Sequence, residues 1–134
     1  MIVMSLPDKG KADSLIEMAK ITFKRLKETN IFNYPSNTLN DYYDIIHKIM
    51  EALTSIEGVK VKGDGAHQEL IDYICKKHNY PESIRLFLQE IRDFRNRIAY
   101  EGFMVNENYI RENFKKIEDI IQSLFKNINP QLIR

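Results

Sequence analysis

Four polar side chains near the end of one predicted helix have types and spacings that suit phosphate binding. They are Arg92, Arg95, Asn96 and Tyr100, which all lie within residues 92–100. Because residues three or four apart lie on the same side of a helix, Arg92, Asn96 and Tyr100 would form one polar stripe. Guanidinium groups bind phosphate oxygens with two parallel N–H donors, and Asn and Tyr add further hydrogen bonds. The spacing therefore predicts a stripe of hydrogen-bonding side chains beside Arg95.

Arg95 itself occupies an unusual place on this helix. On a helical wheel, the apolar residues around it cover an arc of about 140°, with Arg95 near the middle. Those apolar residues are Phe87, Leu88, Ile91, Phe94, Ile98 and Ala99. A guanidinium is almost never fully buried without a partner. Arg95 must therefore either reach carboxylates or carbonyls inside a bundle, or line a cleft or a subunit interface.

The outer side of the same helix carries an ordinary charge pattern. Asp93, Arg97 and Glu101 follow one another at intervals of four residues. This spacing is typical of surface ion pairs, which contribute little to stability. We expect these three residues to pair with one another away from Arg95.

Hydrophobic periodicity predicts five helices around this segment. They cover about residues 9–29, 39–56, 66–77, 82–101 and 107–127, with Gly102 ending the fourth and Pro130 ending the fifth. No stretch alternates with the period of a strand. The predicted fold class is all-α, an up-and-down four-helix bundle with one additional short helix, which is the third.

The first two helices show the clearest apolar faces. In the first, we expect a buried stripe of Leu15, Met18, Ala19, Thr22, Phe23 and Leu26. In the second, a narrow seam follows a 3-4 spacing through Leu39, Tyr42, Ile46, Ile49, Leu53 and Ile56. Thr38 and Asp41 resemble a capping arrangement at the start of this second helix, after a connector that contains Pro35.

The segment before the third helix predicts a loop, and His67 follows it. Three glycines within residues 58–65 indicate a mobile connector that matches no P-loop. His67 lies on the same side as Leu70 and Ile71, where it is either a hydrogen-bonded edge residue or a functional group. Cys75 and His78 alone are too few to hold zinc, so we expect neither a metal nor another cofactor.

Length and composition limit the protein classes that fit. The 134 residues suit a single domain spanning 1–134, and the net charge of +1 argues against a general polyanion binder while permitting a local basic site. Cys75 is the single cysteine, which excludes an intramolecular disulfide and favours a reducing compartment. The sequence shows neither a signal peptide nor a membrane span. We expect a cytoplasmic protein without membrane contact.

The stretch Arg95-Asn96-Arg97-Ile98-Ala99-Tyr100 resembles the Arg-Asn-x-x-x-His signature of the HEPN family. The resemblance in helix organisation covers roughly the second to the fifth helix. It implies a small all-α bundle of the kind found in prokaryotic toxin–antitoxin and defence systems. Active members are metal-independent ribonucleases whose arginine and histidine meet across a homodimer interface. Many are encoded beside a nucleotidyltransferase that serves as their antitoxin.

The resemblance also implies roles for individual residues. Arg95 would stabilise phosphate charge in the transition state, and Asn96 would orient the substrate or hold Arg95. Tyr100 stands where the family has its histidine, and a tyrosine, whose side chain ordinarily has a pKa of about 10, is a poor base but can contact phosphate or a 2′-OH. Arg92 and His67 are further candidates for substrate binding.

Three hypotheses about function stay open at this point. The first is a dimeric HEPN-like protein with an altered or non-catalytic site that binds RNA, a nucleotide or a protein partner. The second is a metal-independent endoribonuclease acting as the toxin of a toxin–antitoxin pair. The third is a purely structural helical bundle, in which Arg95 holds helix ends together through carbonyl groups.

Overall fold

Five helices and two short strands form the described part of the chain. The structure is a computed structural model that describes residues 1–132, with side chains described for residues 1–128. The elements in chain order are β1 Ile2–Met4, α1 Lys9–Lys27, α2 Pro35–Glu57, β2 Val59–Val61, α3 Ala66–Lys77, α4 Glu82–Glu101 and α5 Glu107–Leu132. The five predicted helices and the helical fold class are confirmed. Within this range, no helix combines the length and the hydropathy needed to cross a membrane.

The central element is α2, which packs against α1, α3, α4 and α5. Its predicted seam is confirmed, because five of its six residues are fully buried: Leu39, Tyr42, Ile46, Ile49 and Leu53. Tyr43, Ile45, Met50 and Ala52 are buried as well, so the apolar surface is wider than a narrow seam. A helix with neighbours on several sides needs apolar residues around most of its circumference. The up-and-down order of four helices stays a prediction.

The buried face of α1 differs from the predicted one. Met18, predicted to be buried, is 54% exposed, whereas Ile16, two positions earlier, is buried. The buried residues recur at intervals of four and three, namely Ala12, Ile16, Ala19, Phe23 and Leu26. The small Ala12 and Ala19 let α1 approach α2 closely, and this close approach decides which side of α1 faces inward.

The start of α2 lies earlier than predicted. The helix begins at Pro35, with Tyr34 as its N-cap residue. Proline suits the first helical position, because its fixed φ matches the helix and its missing N–H is not needed there. Thr38 is therefore inside the helix, and its hydroxyl donates a 2.6 Å hydrogen bond to the carbonyl of Ile31. The predicted capping arrangement of Thr38 and Asp41 is wrong.

The glycine-rich segment contains a strand rather than a simple connector. Val59–Val61 pairs antiparallel with Ile2–Met4, with Val3 opposite Lys60. Gly58 joins α2 to this strand with a left-handed φ of 71°, and its carbonyl accepts a 2.8 Å hydrogen bond from the amide of Ser5. The sequence pattern missed this pairing because three residues are too few to show alternation, and because the partner lies far away in the chain.

The predicted end of α4 is confirmed, whereas the predicted end of α5 is wrong. Gly102 ends α4 with a left-handed φ of 69°, as predicted. In contrast, α5 continues through Pro130 to Leu132. A proline so close to a helix end removes only one intrahelical hydrogen bond, so the helix can include it.

Candidate functional site

Arg95 lines a cavity of about 290 Å³ between α2, α3 and α4. The cavity is lined by Asn40, Asp41, Tyr43, Asp44, His47, His67, Arg95 and Ala99. Arg95 is half-buried, and among the described residues no carboxylate lies within salt-bridge distance of its guanidinium. Of the two predicted alternatives for Arg95, the structure therefore supports the cleft.

Two neighbours hold the guanidinium of Arg95 at this cavity. Its central carbon lies 5.9 Å from the centroid of the Tyr43 ring, within the range of a cation–π contact. Its Nη1 donates a 3.4 Å hydrogen bond to Oδ1 of Asn96. Asn96 thus contacts Arg95, and restraining Arg95 is one of the two roles that the resemblance implied for it.

His67 lies in the first turn of α3 and reaches the same cavity. Its Nδ1 is 3.3 Å from the hydroxyl of Tyr43, a buried residue of α2. This contact fixes one side of the imidazole ring, while the residue as a whole stays exposed. Among the described side chains, none hydrogen-bonds to Nε2 of His67. The nitrogen on the open side is therefore free to meet a ligand.

A second histidine, His47 of α2, stacks on His67. The two ring centroids are 4.2 Å apart with an interplanar angle of 29°. His47 Nε2 lies 2.7 Å from the carboxylate of Glu51, one turn further along the helix. Two buried acceptors at the cavity, His47 Nδ1 and Asn40 Oδ1, have no hydrogen-bond partner among the described residues. Such groups are normally satisfied, so a polar ligand or water is expected here.

Sequence reasoning did not identify Tyr43, His47 and Glu51 as site residues. They follow one another at intervals of four on α2 and therefore form one stripe beside the apolar seam. A polar and aromatic stripe on a helix that is otherwise buried was the available signal. It could be recognised as a site only when Arg95 and His67 were known to face it.

The charges around the cavity shift three pKa values. Partial burial, and then the proximity of His47 and of the Arg95 guanidinium, lower the pKa of His67 below its ordinary value. Burial raises the pKa of Tyr43 to about 12, although Arg92 and Arg95 act in the opposite direction. The hydrogen bond from His47 holds the pKa of Glu51 below its ordinary value. At neutral pH, a neutral His67 and a protonated Tyr43 thus line the cavity, and the Glu51 carboxylate that holds His47 lies outside its lining.

Two carboxylates that line the cavity are already paired. Asp41 lies 3.0 Å from Arg25 of α1, and Asp44 lies 2.6 Å from Lys48. Their negative charge is therefore partly compensated by cations outside the cavity lining. Arg95 remains as the cation that faces the cavity, which favours an anionic ligand over a cationic one.

The other predicted site residues lie at different distances from this cavity. Tyr100 is 81% exposed and does not line it, so the motif position is separated from Arg95 within one chain. Arg92 donates a 2.8 Å hydrogen bond from Nε to Gln89, and its charge acts on both Tyr43 and His67. Arg92 therefore lies near the cavity without lining it.

The charged residues on the outer side of α4 do not pair as predicted. In the described structure, Asp93, Arg97 and Glu101 form no salt bridge with one another. Arg97 instead lies over the ring of Phe103, 4.1 Å from its centroid. The aromatic face offers a cation–π contact without immobilising two long side chains against each other. The prediction of ion pairs is wrong at these positions.

The arrangement can bind a phosphate at Arg95 and accept a proton at His67. In the tautomer in which Nδ1–H donates to the hydroxyl oxygen of Tyr43, Nε2 of the neutral imidazole is unprotonated and can act as a general base. Within residues 1–128, no group of three metal-ligating side chains is close enough to hold a metal ion. Comparisons of this chain with protein-family models, curated proteins and solved structures found no significant match.

Proposed function

We propose that this chain is a HEPN-like protein that binds RNA at Arg95 and cleaves it without a metal ion. The observation that carries the proposal is the cavity shared by Arg95 and His67. The residue at the motif position, Tyr100, is a poor base at neutral pH. In this proposal, His67 of α3 supplies the acid–base function that the family's motif histidine would supply.

The proposed chemistry uses the 2′-hydroxyl of the RNA as the nucleophile. Nε2 of His67 takes the proton from this hydroxyl as the 2′-oxygen attacks the neighbouring phosphorus. The bond between the 2′-oxygen and phosphorus forms, and the bond between phosphorus and the 5′-oxygen of the next nucleotide breaks. That leaving oxygen takes a proton from water, and the products are a 2′,3′-cyclic phosphate and a 5′-hydroxyl. Arg95 stabilises the charge that develops on the phosphate oxygens.

The remaining residues of the site would position these two groups. Asn96 restrains Arg95 through its 3.4 Å hydrogen bond. The hydroxyl of Tyr43 restrains His67 through its contact with Nδ1 of the imidazole. His47 supports the ring of His67 by stacking and is itself held by Glu51. Arg92 adds positive charge near the entrance and would assist binding rather than catalysis.

The test is cleavage of a mixed RNA pool in the presence of a chelator, with four variants beside the wild-type protein. We expect Arg95→Ala and His67→Ala each to lower the rate by roughly 10²- to 10⁴-fold, the usual effect of removing such groups. Arg97→Ala is the matched control, because this arginine lies on the outer side of α4 against Phe103 and should leave the rate unchanged. Cleavage that persists in Arg95→Ala would exclude Arg95 as a catalytic residue.

The fourth variant, Tyr100→Phe, tests whether the motif position contributes to the reaction. It removes only the hydroxyl and keeps the apolar ring. A rate within about twofold of wild type would support the assignment of the proton transfer to His67. A loss as large as that of His67→Ala would instead place Tyr100 in the reacting site.

A non-catalytic RNA-binding module is the second candidate. The exposure of Tyr100 and the absence of a histidine at its position favour it. In that case, RNA would bind without being cleaved, and Arg95→Ala would weaken binding. Unchanged RNA binding together with a lower free energy of unfolding in Arg95→Ala would favour the purely structural bundle.

The proposal includes a homodimer formed through exposed apolar side chains of α4 and the segment after it. Leu86 is 55% exposed and Met104 is 76% exposed, and Leu86 lies on the same side of α4 as Tyr100. Exposed large apolar side chains on one side of a helix favour association. A nucleotidyltransferase antitoxin and a cytoplasmic location belong to the same proposal, as implied by the resemblance to the HEPN family.

A further inference from the structure

A second cavity shares the stacked histidines with the first. It has a volume of about 350 Å³ and lies between the start of α1, α2, β2 and α3. His47 and His67 line both cavities, so the pair forms a common wall between them. Arg95 lines only the cavity on one side of this wall, and Lys11 and Lys62 line only the cavity on the other.

The charged groups of the second cavity favour an anion. In the part of the chain that the structure describes, neither Lys11 nor Lys62 lies within salt-bridge distance of a carboxylate. The two carboxylates of the cavity already have partners. Asp8 accepts a 2.9 Å hydrogen bond from the amide of Lys11 as the N-cap of α1, and Glu51 is bonded to His47. Lys60 also lines the cavity, so three lysines stand against two carboxylates and the lining carries a net positive charge.

The rest of the lining suits the uncharged part of a nucleotide. Val59, Val61 and Leu70 provide an apolar wall, and the rings of His47 and His67 provide aromatic faces. Bases stack on such faces largely regardless of their identity. The volume of the cavity is within the range of small-ligand sites, which begins at about 300 Å³.

We infer that the second cavity binds the neighbouring nucleotide of the strand whose phosphate is held at Arg95. The ligand is therefore a single strand of at least two nucleotides. One phosphate lies at Arg95 and another lies near Lys11 and Lys62, with the histidine pair between them. The phosphate at Arg95 is the part of this inference that rests on the proposed function.

The test compares the binding of two uncleavable ligands by fluorescence anisotropy. The ligands are a fluorescein-labelled thymidine tetradeoxynucleotide and, in competition with it, thymidine 5′-monophosphate; both lack the 2′-hydroxyl. We expect the tetramer to bind at least about 10-fold more tightly than the monophosphate, because it occupies both cavities. Arg95→Ala should weaken the binding of both ligands.

Lys11→Gln should weaken the binding of the tetramer several-fold, because the second cavity would lose one of its cations. Removing one phosphate contact should also reduce the slope of log K against log salt by about 0.7, the value for one charge on a single strand. Lys62→Gln is a second variant with the same expectation. Lys20→Gln is the matched control, because Lys20 is nine positions from Lys11 and therefore on the opposite side of α1.

Four outcomes separate this inference from the proposed ribonuclease function. Equal tetramer affinity in Lys11→Gln and Lys20→Gln would overturn the inference, and so would a tetramer that binds no more tightly than the monophosphate. If the protein binds the tetramer at two sites but does not cleave the matching RNA, the inference is supported and only the proposed ribonuclease function is contradicted. If both lysine variants cleave RNA with an unchanged KM, the inference is contradicted and the proposed ribonuclease function is not.

Discussion

At the scale of single residues, the environment of His67 decides whether the cavity can accept a proton. Partial burial and the proximity of His47 and Arg95 lower the pKa of His67, so the imidazole stays neutral to a lower pH than a free ring. The groups that face it are Tyr43, His47 and Glu51 from α2, and Arg92 and Arg95 from α4. A neutral imidazole is the form that a general base requires.

Replacing Arg95 with Gln should raise the pKa of His67. One of the charges that disfavour protonation would then be absent, while the hydrogen bond between His67 and Tyr43 would remain. NMR titration of the imidazole C–H resonances measures this pKa, with Arg97→Gln as the control on the outer side of α4. An unchanged pKa in Arg95→Gln would contradict the proximity of the two groups.

The same pKa shift has a consequence for stability. The folded state binds a proton at His67 less readily than the unfolded chain, whose histidine has a pKa of about 6.5. The contribution of His67 to the free energy of unfolding is therefore present above that pH. It is lost as the pH falls through the lowered pKa of the folded state.

At the scale of elements, α2 carries the core and one wall of each cavity. Ile46, Ile49 and Leu53 are fully buried, while Tyr43, His47 and Glu51 form the stripe that faces the cavities. The position of each cavity-lining residue on α2 therefore depends on how the apolar side of the same helix packs. The strand β2 follows directly and closes the second cavity with Val59 and Val61.

Gly58→Ala should destabilise the protein more than Gly63→Ala. Both glycines have positive φ values, 71° and 87°, so each alanine carries a conformational cost of about 1–2 kcal/mol. Only at Gly58 would the added Cβ lie 2.8 Å from a backbone oxygen, that of Ser5, whereas nothing lies within 4 Å at Gly63. The difference between the two variants isolates the close contact of the N-terminal segment with the end of α2.

Denaturant unfolding of the two variants measures this difference. We expect the Gly58 variant to lose at least about 1 kcal/mol more than the Gly63 variant, because backbone would have to move to relieve the contact. Equal losses in the free energy of unfolding would show that the N-terminal segment does not pack tightly against Gly58.

At the scale of the whole molecule, the net charge says little about the site. The total is +1, yet Lys11 and Lys62 line one cavity and Arg95 the other, where Asp41 and Asp44 are paired with cations outside the lining. A protein with a small net charge can thus have a locally positive region. The molecule would bind a short single strand at one place rather than nucleic acid over its whole surface.

Size-exclusion chromatography with light scattering should give twice the 15.9 kDa mass of one chain. Replacing both Leu86 and Tyr100 with Glu should shift the mass to that of a monomer, because the dimer would have to bury like charges on α4. Met18→Glu is the control, since Met18 is equally exposed but lies on α1. A wild-type mass of one chain at all concentrations would contradict the proposed homodimer.

Local sequence patterns were sufficient for the helices and much of the core. The period of α2 predicted its seam, and Gly102 predicted the end of α4, because both depend on interactions within a few residues. The same kind of pattern misplaced Met18, since the choice of inward face on α1 depends on its contact with α2. It also missed the pairing of β1 with β2, which joins segments far apart in the chain.

The sequence by itself determined the helical class of this protein. It also indicated that Arg95, on the apolar side of its helix, needs either a polar partner or a cleft. Only the tertiary structure decided between these two. It brought His67 of α3 and Tyr43 and His47 of α2 to the cavity beside Arg95, and left Tyr100 exposed. Helix periodicity is local, whereas a site built from three helices depends on how those helices pack against one another.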